Sequence, residues 1–129
     1  MSFSCPLILP RTEPANAVVG TGFPFRDKGL LPRYLLVMEK ALATFEDLRR
    51  AGAAALDLAW TASGTFDGFF ELGLNTWDVA AGAALVLEVG GRVTDWSGGD
   101  TWIESGDILA ATPAVHEALL ELAAQPLER

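Results

Sequence analysis

The chain has 129 residues, half of them hydrophobic, and a formal net charge of −8, a length that suits one domain with a genuine core. Its acidity argues against nucleic acid and anionic membrane as partners, since both need basic patches, but leaves an anionic substrate open where bound metal supplies positive charge. No run approaches the ~18 apolar residues of a membrane helix, so the mean hydropathy of +0.29 reads as buried helices and strands, or as a surface awaiting a partner.

Residues 1–16 carry Pro6, Pro10 and Pro14 and are expected to be irregular. They show neither the basic stretch nor the cleavage site of a signal peptide. The single cysteine, Cys5, cannot form an internal disulfide. Both readings point to a reducing cytoplasm. Residues 17–22 predict a short strand that runs into a loop at Phe23-Pro24-Phe25. The spacing predicts a long helix over 31–50, with Tyr34, Leu35, Met38, Leu42, Phe45 and Leu48 on its buried face. Gly52 breaks it, and a nearly all-apolar helix over 53–62 follows.

An aromatic strand is expected over 66–72, then a turn at 73–75. Thr76 is placed to cap a helix that reaches about Val89. Residues 92–95 predict a strand and 96–106 a loop, in which Trp96 and Trp102 read as packing groups. Ile108 to Ala111 predict a short, continuously apolar strand. Thr112-Pro113 then opens a last helix to about Ala124. Strands alternating with helices predict an α/β layer: a mainly parallel or mixed sheet flanked by helices, in a single domain over 17–129.

Asp78 lies in the first turn of an otherwise apolar helix. The positive end of the helix dipole favours an ionised acid there. From the residues alone, such an acid either complements the dipole or faces a cation or polar ligand. Glu71 closes the aromatic strand, where it either faces solvent or meets a ligand. His116, beside Glu117 on the last helix, reads as a surface residue. No phosphate-binding glycine loop and no G-x-S-x-G elbow occurs in the chain.

The run Trp77-Asp78-Val79-Ala80-Ala81-Gly82, followed by Glu88-Val89-Gly90-Gly91 and Val93-Thr94-Asp95, resembles the C-terminal signature of the inositol monophosphatase family of magnesium-dependent sugar-phosphate phosphatases. Gly20-Thr21-Gly22-Phe23-Pro24, Gly52-Ala53-Ala54-Ala55 and Ser105-Gly106-Asp107-Ile108-Leu109-Ala110-Ala111 resemble further segments of the same family, in the same order. The resemblance implies the C-terminal half of that fold. It implies Asp78 as a ligand of Mg²⁺ that also touches substrate hydroxyls, Glu71 as a second hydroxyl contact, and Ala53 and Ala54 as walls of the substrate pocket. The family usually has Ser or Thr where this chain has Ala53, so one hydroxyl is lost. The family's upstream D-P-[IL]-D-G-[TS] loop, which supplies two more metal-binding aspartates, does not occur here.

The expectation is therefore the C-terminal portion of an inositol- or sugar-phosphate phosphatase, inactive by itself. The alternative is a non-catalytic binding or regulatory module of the same fold. The expected partners are a sugar-phosphate or inositol-phosphate ligand, and a second copy or a separate N-terminal half that covers exposed apolar faces. Neither nucleic acid nor membrane is expected.

Overall fold

The computed structural model describes residues 13–24 and 27–124, apart from the side chains of Asp78 and Ala124. Most of the irregular segment expected at the N-terminus, with Cys5, and the loop residue Phe25 lie outside the described residues. Five strands form one sheet: β1 (Val18–Thr21), β2 (Asp47–Arg49), β3 (Gly68–Glu71), β4 (Arg92–Thr94) and β5 (Ile108–Ala111). Five helices accompany them: α1 (Leu31–Thr44), α2 (Ala54–Ser63), α3 (Thr76–Glu88), α4 (Trp102–Ser105) and α5 (Pro113–Ala124).

The strand order is β2-β1-β3-β5-β4. β1 pairs parallel with both β2 and β3, while β5 pairs antiparallel with β3 and β4. The sheet is therefore mixed, and helices cover both faces. The two-residue period of the strands explains the two cores. On one face Phe70, Leu109 and Ala111 meet Tyr34, Val37 and Ala41 of α1 and Val115, Leu119 and Ala123 of α5. On the other, Phe69, Ile108 and Ala110 meet Leu58 of α2 and Val79, Ala83 and Val86 of α3. The glycine of the Trp-Asp-Val-Ala-Ala-Gly run explains how α2 and α3 come so close. A Cβ at Gly82 would lie 2.5 Å from the Leu58 Cβ, so any larger residue would push the helices apart.

Four expectations need correction. The helix expected over 31–50 ends at Thr44, because residues 47–49 pair with β1 as an edge strand. Its buried stripe is Tyr34, Val37 and Ala41, while Leu35 and Leu42 stay 50% and 59% exposed. Thr76 does not cap α3; its hydroxyl donates to the Ile103 carbonyl at 3.2 Å. His116 is buried rather than on the surface, with 3% exposure.

The His116 environment is specific. The Thr94 hydroxyl lies 2.8 Å from the Asp95 carbonyl and 2.8 Å from His116 Nε2, so it joins the ring to the backbone after β4. Burial, with help from nearby Arg92, lowers the His116 pKa, so the ring stays neutral near pH 7.

The loop expected over 96–106 contains α4, and both tryptophans serve packing. Trp96 is 1% exposed. Its Nε1 donates to the Glu71 and Ile108 carbonyls, 3.2 Å each, at the end of the β3–β5 pair. Asp67, next to Gly68, is structural as well. Its carboxylate accepts from the Val18 backbone N–H at 2.8 Å, and its carbonyl accepts from Thr112 N–H at 3.1 Å. Among the described residues, no helix is long and apolar enough to cross a membrane.

Candidate substrate cleft

A cleft of about 410 Å³ opens where three parallel strands end. Gly22 to Pro24 follow β1, Arg50 to Ala55 follow β2, and Leu72 to Leu74 follow β3. Open α/β sheets bind ligands at the carboxyl ends of their strands, where the chain leaves the sheet and loops diverge.

Of the residues singled out from sequence, Glu71, Ala53 and Ala54 line this cleft together. Glu71 is the last residue of β3. Its carboxylate rests against the backbone of Gly22, and a Cβ added there would overlap it. The glycine after β1 therefore lets the acid fold back over the strand end. Ala53 precedes α2 with extended backbone (φ −146°, ψ 115°) and gives no side-chain cap, and Ala54 begins the helix. The first N–H groups of α2, which have no partner within the helix, thus begin at a wall made of methyl groups. Asp78 lies in the first turn of α3, as expected; that turn begins two residues after the cleft residue Leu74.

Three further charged residues line the cleft and were not singled out from sequence: Asp27, Arg50 and Asp57. Asp27 accepts from Gly29 N–H at 3.0 Å and so caps the short 3-10 turn before α1. The Arg50 guanidinium carbon sits 4.7 Å above the Phe23 ring centre, and Phe23 packs edge-on against Tyr34 with ring centres 5.9 Å apart. A cation over an aromatic face in this way is favourable. Tyr34 is held protonated mainly by burial, with its hydroxyl 3.0 Å from Thr21 Oγ1.

Asp57 is fully buried in the first turn of α2. Burial pushes its carboxyl up to about 7, against the opposing pull of Arg50. In the sequence it is the lone charged residue of the apolar run 53–62, but an acid in a first helical turn is also what the helix dipole favours, so the sequence does not single it out.

Magnesium prefers several oxygen donors in octahedral array. Carboxylates are the right kind of ligand, but among the described residues no three His, Cys, Asp or Glu side chains come together to hold a metal.

The chain matches the sequence profile of the inositol monophosphatase family over residues 8–128, and it belongs to that family. A curated relative from Neisseria meningitidis serogroup A, "Putative Nus factor SuhB", is 50% identical over 112 residues, covering 87% of this chain and 43% of the relative. "Nus factor SuhB" of Escherichia coli is 47% identical over 105 residues, covering 81% of this chain and 39% of the relative. Among solved structures, the extragenic suppressor protein suhB of Bartonella henselae superimposes with a TM-score of 0.85 at 34% identity, covering 93% of this chain and 46% of that one. Inositol monophosphatase from Anabaena does so with a TM-score of 0.83 at 34% identity, covering 96% and 50%. The chain thus spans less than half the length of these curated relatives, and its fold corresponds to half or less of the solved family members.

Proposed function

We propose that this chain supplies the substrate-cleft half of a magnesium-dependent phosphatase acting on inositol or sugar phosphate monoesters, and that it is inactive by itself. The observation that carries this reading is the meeting of Glu71, Ala53 and Ala54 in one cleft at the carboxyl ends of β1, β2 and β3. Family members typically use Mg²⁺, which polarises the phosphoryl oxygen and activates water.

In this proposal Asp78 is the one metal ligand the chain contributes, and it also meets a substrate hydroxyl. Glu71 accepts from a second hydroxyl. The Ala53 and Ala54 methyls let the polyol ring approach the main chain. A single carboxylate holds Mg²⁺ weakly, because the ion gives up its waters reluctantly. The remaining ligands come from the N-terminal half of the family's fold, which lies outside these 129 residues. Leu56 on α2 and Trp77 and Leu85 on α3 remain 41%, 76% and 50% exposed, which supports pairing with that half or with a second copy. The reducing cytoplasm suggested by the lone Cys5 is the compartment we assign.

Titrating labelled protein with myo-inositol 1-phosphate tests the cleft. We expect backbone NMR shifts at Glu71, Ala53 and Ala54, and affinity about tenfold weaker in Glu71→Gln, the loss of roughly one charge-assisted hydrogen bond. Shifts confined to another surface, or unchanged affinity in the variant, would refute it.

The name "Nus factor SuhB" on the Neisseria and Escherichia coli relatives favours a second reading. In it the chain is a non-catalytic regulatory module that works through a protein partner on its exposed apolar face.

A further inference from the structure

His116 is the one histidine of the chain, and neither the cleft nor its proposed chemistry uses it. It sits on α5, 3% exposed, with Nε2 2.8 Å from the Thr94 hydroxyl of β4. Among the described residues its Nδ1 is buried without a hydrogen-bond partner. A neutral ring carries one N–H, and a hydroxyl can donate or accept, so Thr94 satisfies Nε2 in either tautomer. A protonated ring carries two N–H groups. Nδ1 becomes a buried donor with nothing to receive it, on a ring whose charge is out of water. The fold therefore accommodates the neutral ring and opposes the charged one.

The charges around the ring point the same way. Burial disfavours the proton most, Arg92 on β4 adds to it, and Glu117 on α5 opposes both. Asp95, after β4, and Asp67, before β3, have carboxylates engaged by backbone N–H groups. β5 is apolar throughout, and α1 turns Tyr34, Val37 and Ala41 toward the shared core. Glu13, which precedes the 3-10 turn packed on α5, is exposed. The strand that the ring holds is an edge. β4 has three residues, lies last in the strand order and pairs with β5 alone.

We propose that His116 is an acid-sensitive latch: neutral, it holds the edge strand β4 to α5, and protonation releases that strand. This assignment is independent of the cleft and of what binds there. An unfolded or released ring takes up its proton near pH 6.5, and the buried ring does so less readily. The latch therefore stabilises fully above about pH 6.5, and that stabilisation is lost as pH falls from there toward the lowered folded pKa. Asp57 acts with the opposite sign, because a carboxyl raised to about 7 favours the folded state as pH falls. A comparison with a variant separates the two.

Amide hydrogen exchange of the full chain, read as protection factors for the β4–β5 pair, is measured at about pH 7.5 and about pH 5.5 in wild type and His116→Gln. Glutamine keeps a polar partner for Thr94 but does not titrate. Between the two pH values, wild-type protection should fall relative to the variant, toward the roughly tenfold ceiling that an unfolded pKa of about 6.5 sets. At the lower pH, exchange at β4 should respond little to urea up to about 1 M, while exchange in the β1–β3 pair rises with it. The same pH dependence in both proteins, or the same urea dependence at both strand pairs, would overturn the latch.

A second measurement needs wild type alone, and so stands if the variant does not fold. The single imidazole and the Thr94 amide are followed together by NMR across pH. We expect the ring to titrate below its ordinary value of about 6.5, with the Thr94 amide shifting at the same midpoint. A ring that titrates at the ordinary value, or a Thr94 amide that does not follow it, would overturn the proposal.

Discussion

Gly106→Ala is expected to destabilise the protein by about 3 kcal/mol or more, enough to leave much of a marginally stable domain unfolded. Two effects add. Gly106 has φ +76°, a left-handed conformation that L side chains enter at a cost of about 1 kcal/mol. An added Cβ would also land on the backbone nitrogen and oxygen of Leu74. Backbone cannot swing aside as a side-chain tip can. The two segments are joined there: Leu74 N–H donates to the Gly106 carbonyl at 2.9 Å, and Gly73 N–H donates to Asp107 Oδ1 at 2.9 Å. The turn held in this way connects β3, which carries Glu71, to α3, which carries Asp78. The glycine of the Ser-Gly-Asp segment therefore sets the spacing between two proposed site residues from outside the cleft. Urea unfolding of the variant checks this, and a loss below about 1 kcal/mol would show that the contact is not rigid.

Asp95→Ala is expected to cost about 3 kcal/mol. The carboxylate accepts five hydrogen bonds: from Ser97 N–H and Oγ and from Gly99 N–H at Oδ1, and from Thr101 N–H and Oγ1 at Oδ2. Alanine would strand those donors and loosen the loop from Trp96 to α4. Trp96 at the head of that loop ties the Glu71 carbonyl to the sheet, so the damage reaches the cleft.

The same group gives a pH signature. Burial alone would raise the Asp95 pKa, but the hydrogen bonds from Thr101, Gly99 and Ser97 outweigh it and hold the carboxyl well below the usual carboxylate range. A folded pKa below the unfolded value of about 3.9 contributes stability that is present above pH ~4 and is lost as pH falls further toward the folded pKa. The wild-type protein should therefore lose stability below pH 4 more steeply than Asp95→Ala. Parallel acid-unfolding curves for the two would contradict this.

Where sequence and structure agree, the sequence carries strong punctuation. The strand Ile108–Ala111 was legible to the residue because four apolar residues are bounded by Asp107 and by Thr112-Pro113. Gly64, with φ 87°, marks the end of α2 just as its left-handed preference suggests. The end of α1 carries no such mark. Phe45 turns extended without glycine or proline, and the apolar spacing runs on through Leu48, so only pairing with β1 reveals the strand there.

His116 was misread from its neighbour Glu117, although Thr112, His116, Leu119 and Ala123 repeat at helical spacing and all lie buried. In the cleft, Glu71, Ala53 and Ala54 were visible through family motifs. Asp57 was hidden because an acid in a first helical turn has an ordinary explanation in the helix dipole. Only its complete burial without a partner sets it apart.

The central claim is that this chain contributes a substrate cleft and one metal ligand to a phosphatase site it does not complete. The most direct test is phosphate release from myo-inositol 1-phosphate in the presence of Mg²⁺. The purified 129-residue chain is assayed alone, and again after co-expression with the N-terminal portion of the Neisseria meningitidis relative. The account predicts background release from the chain alone and magnesium-dependent turnover from the pair. Robust magnesium-dependent hydrolysis by the chain alone would contradict it.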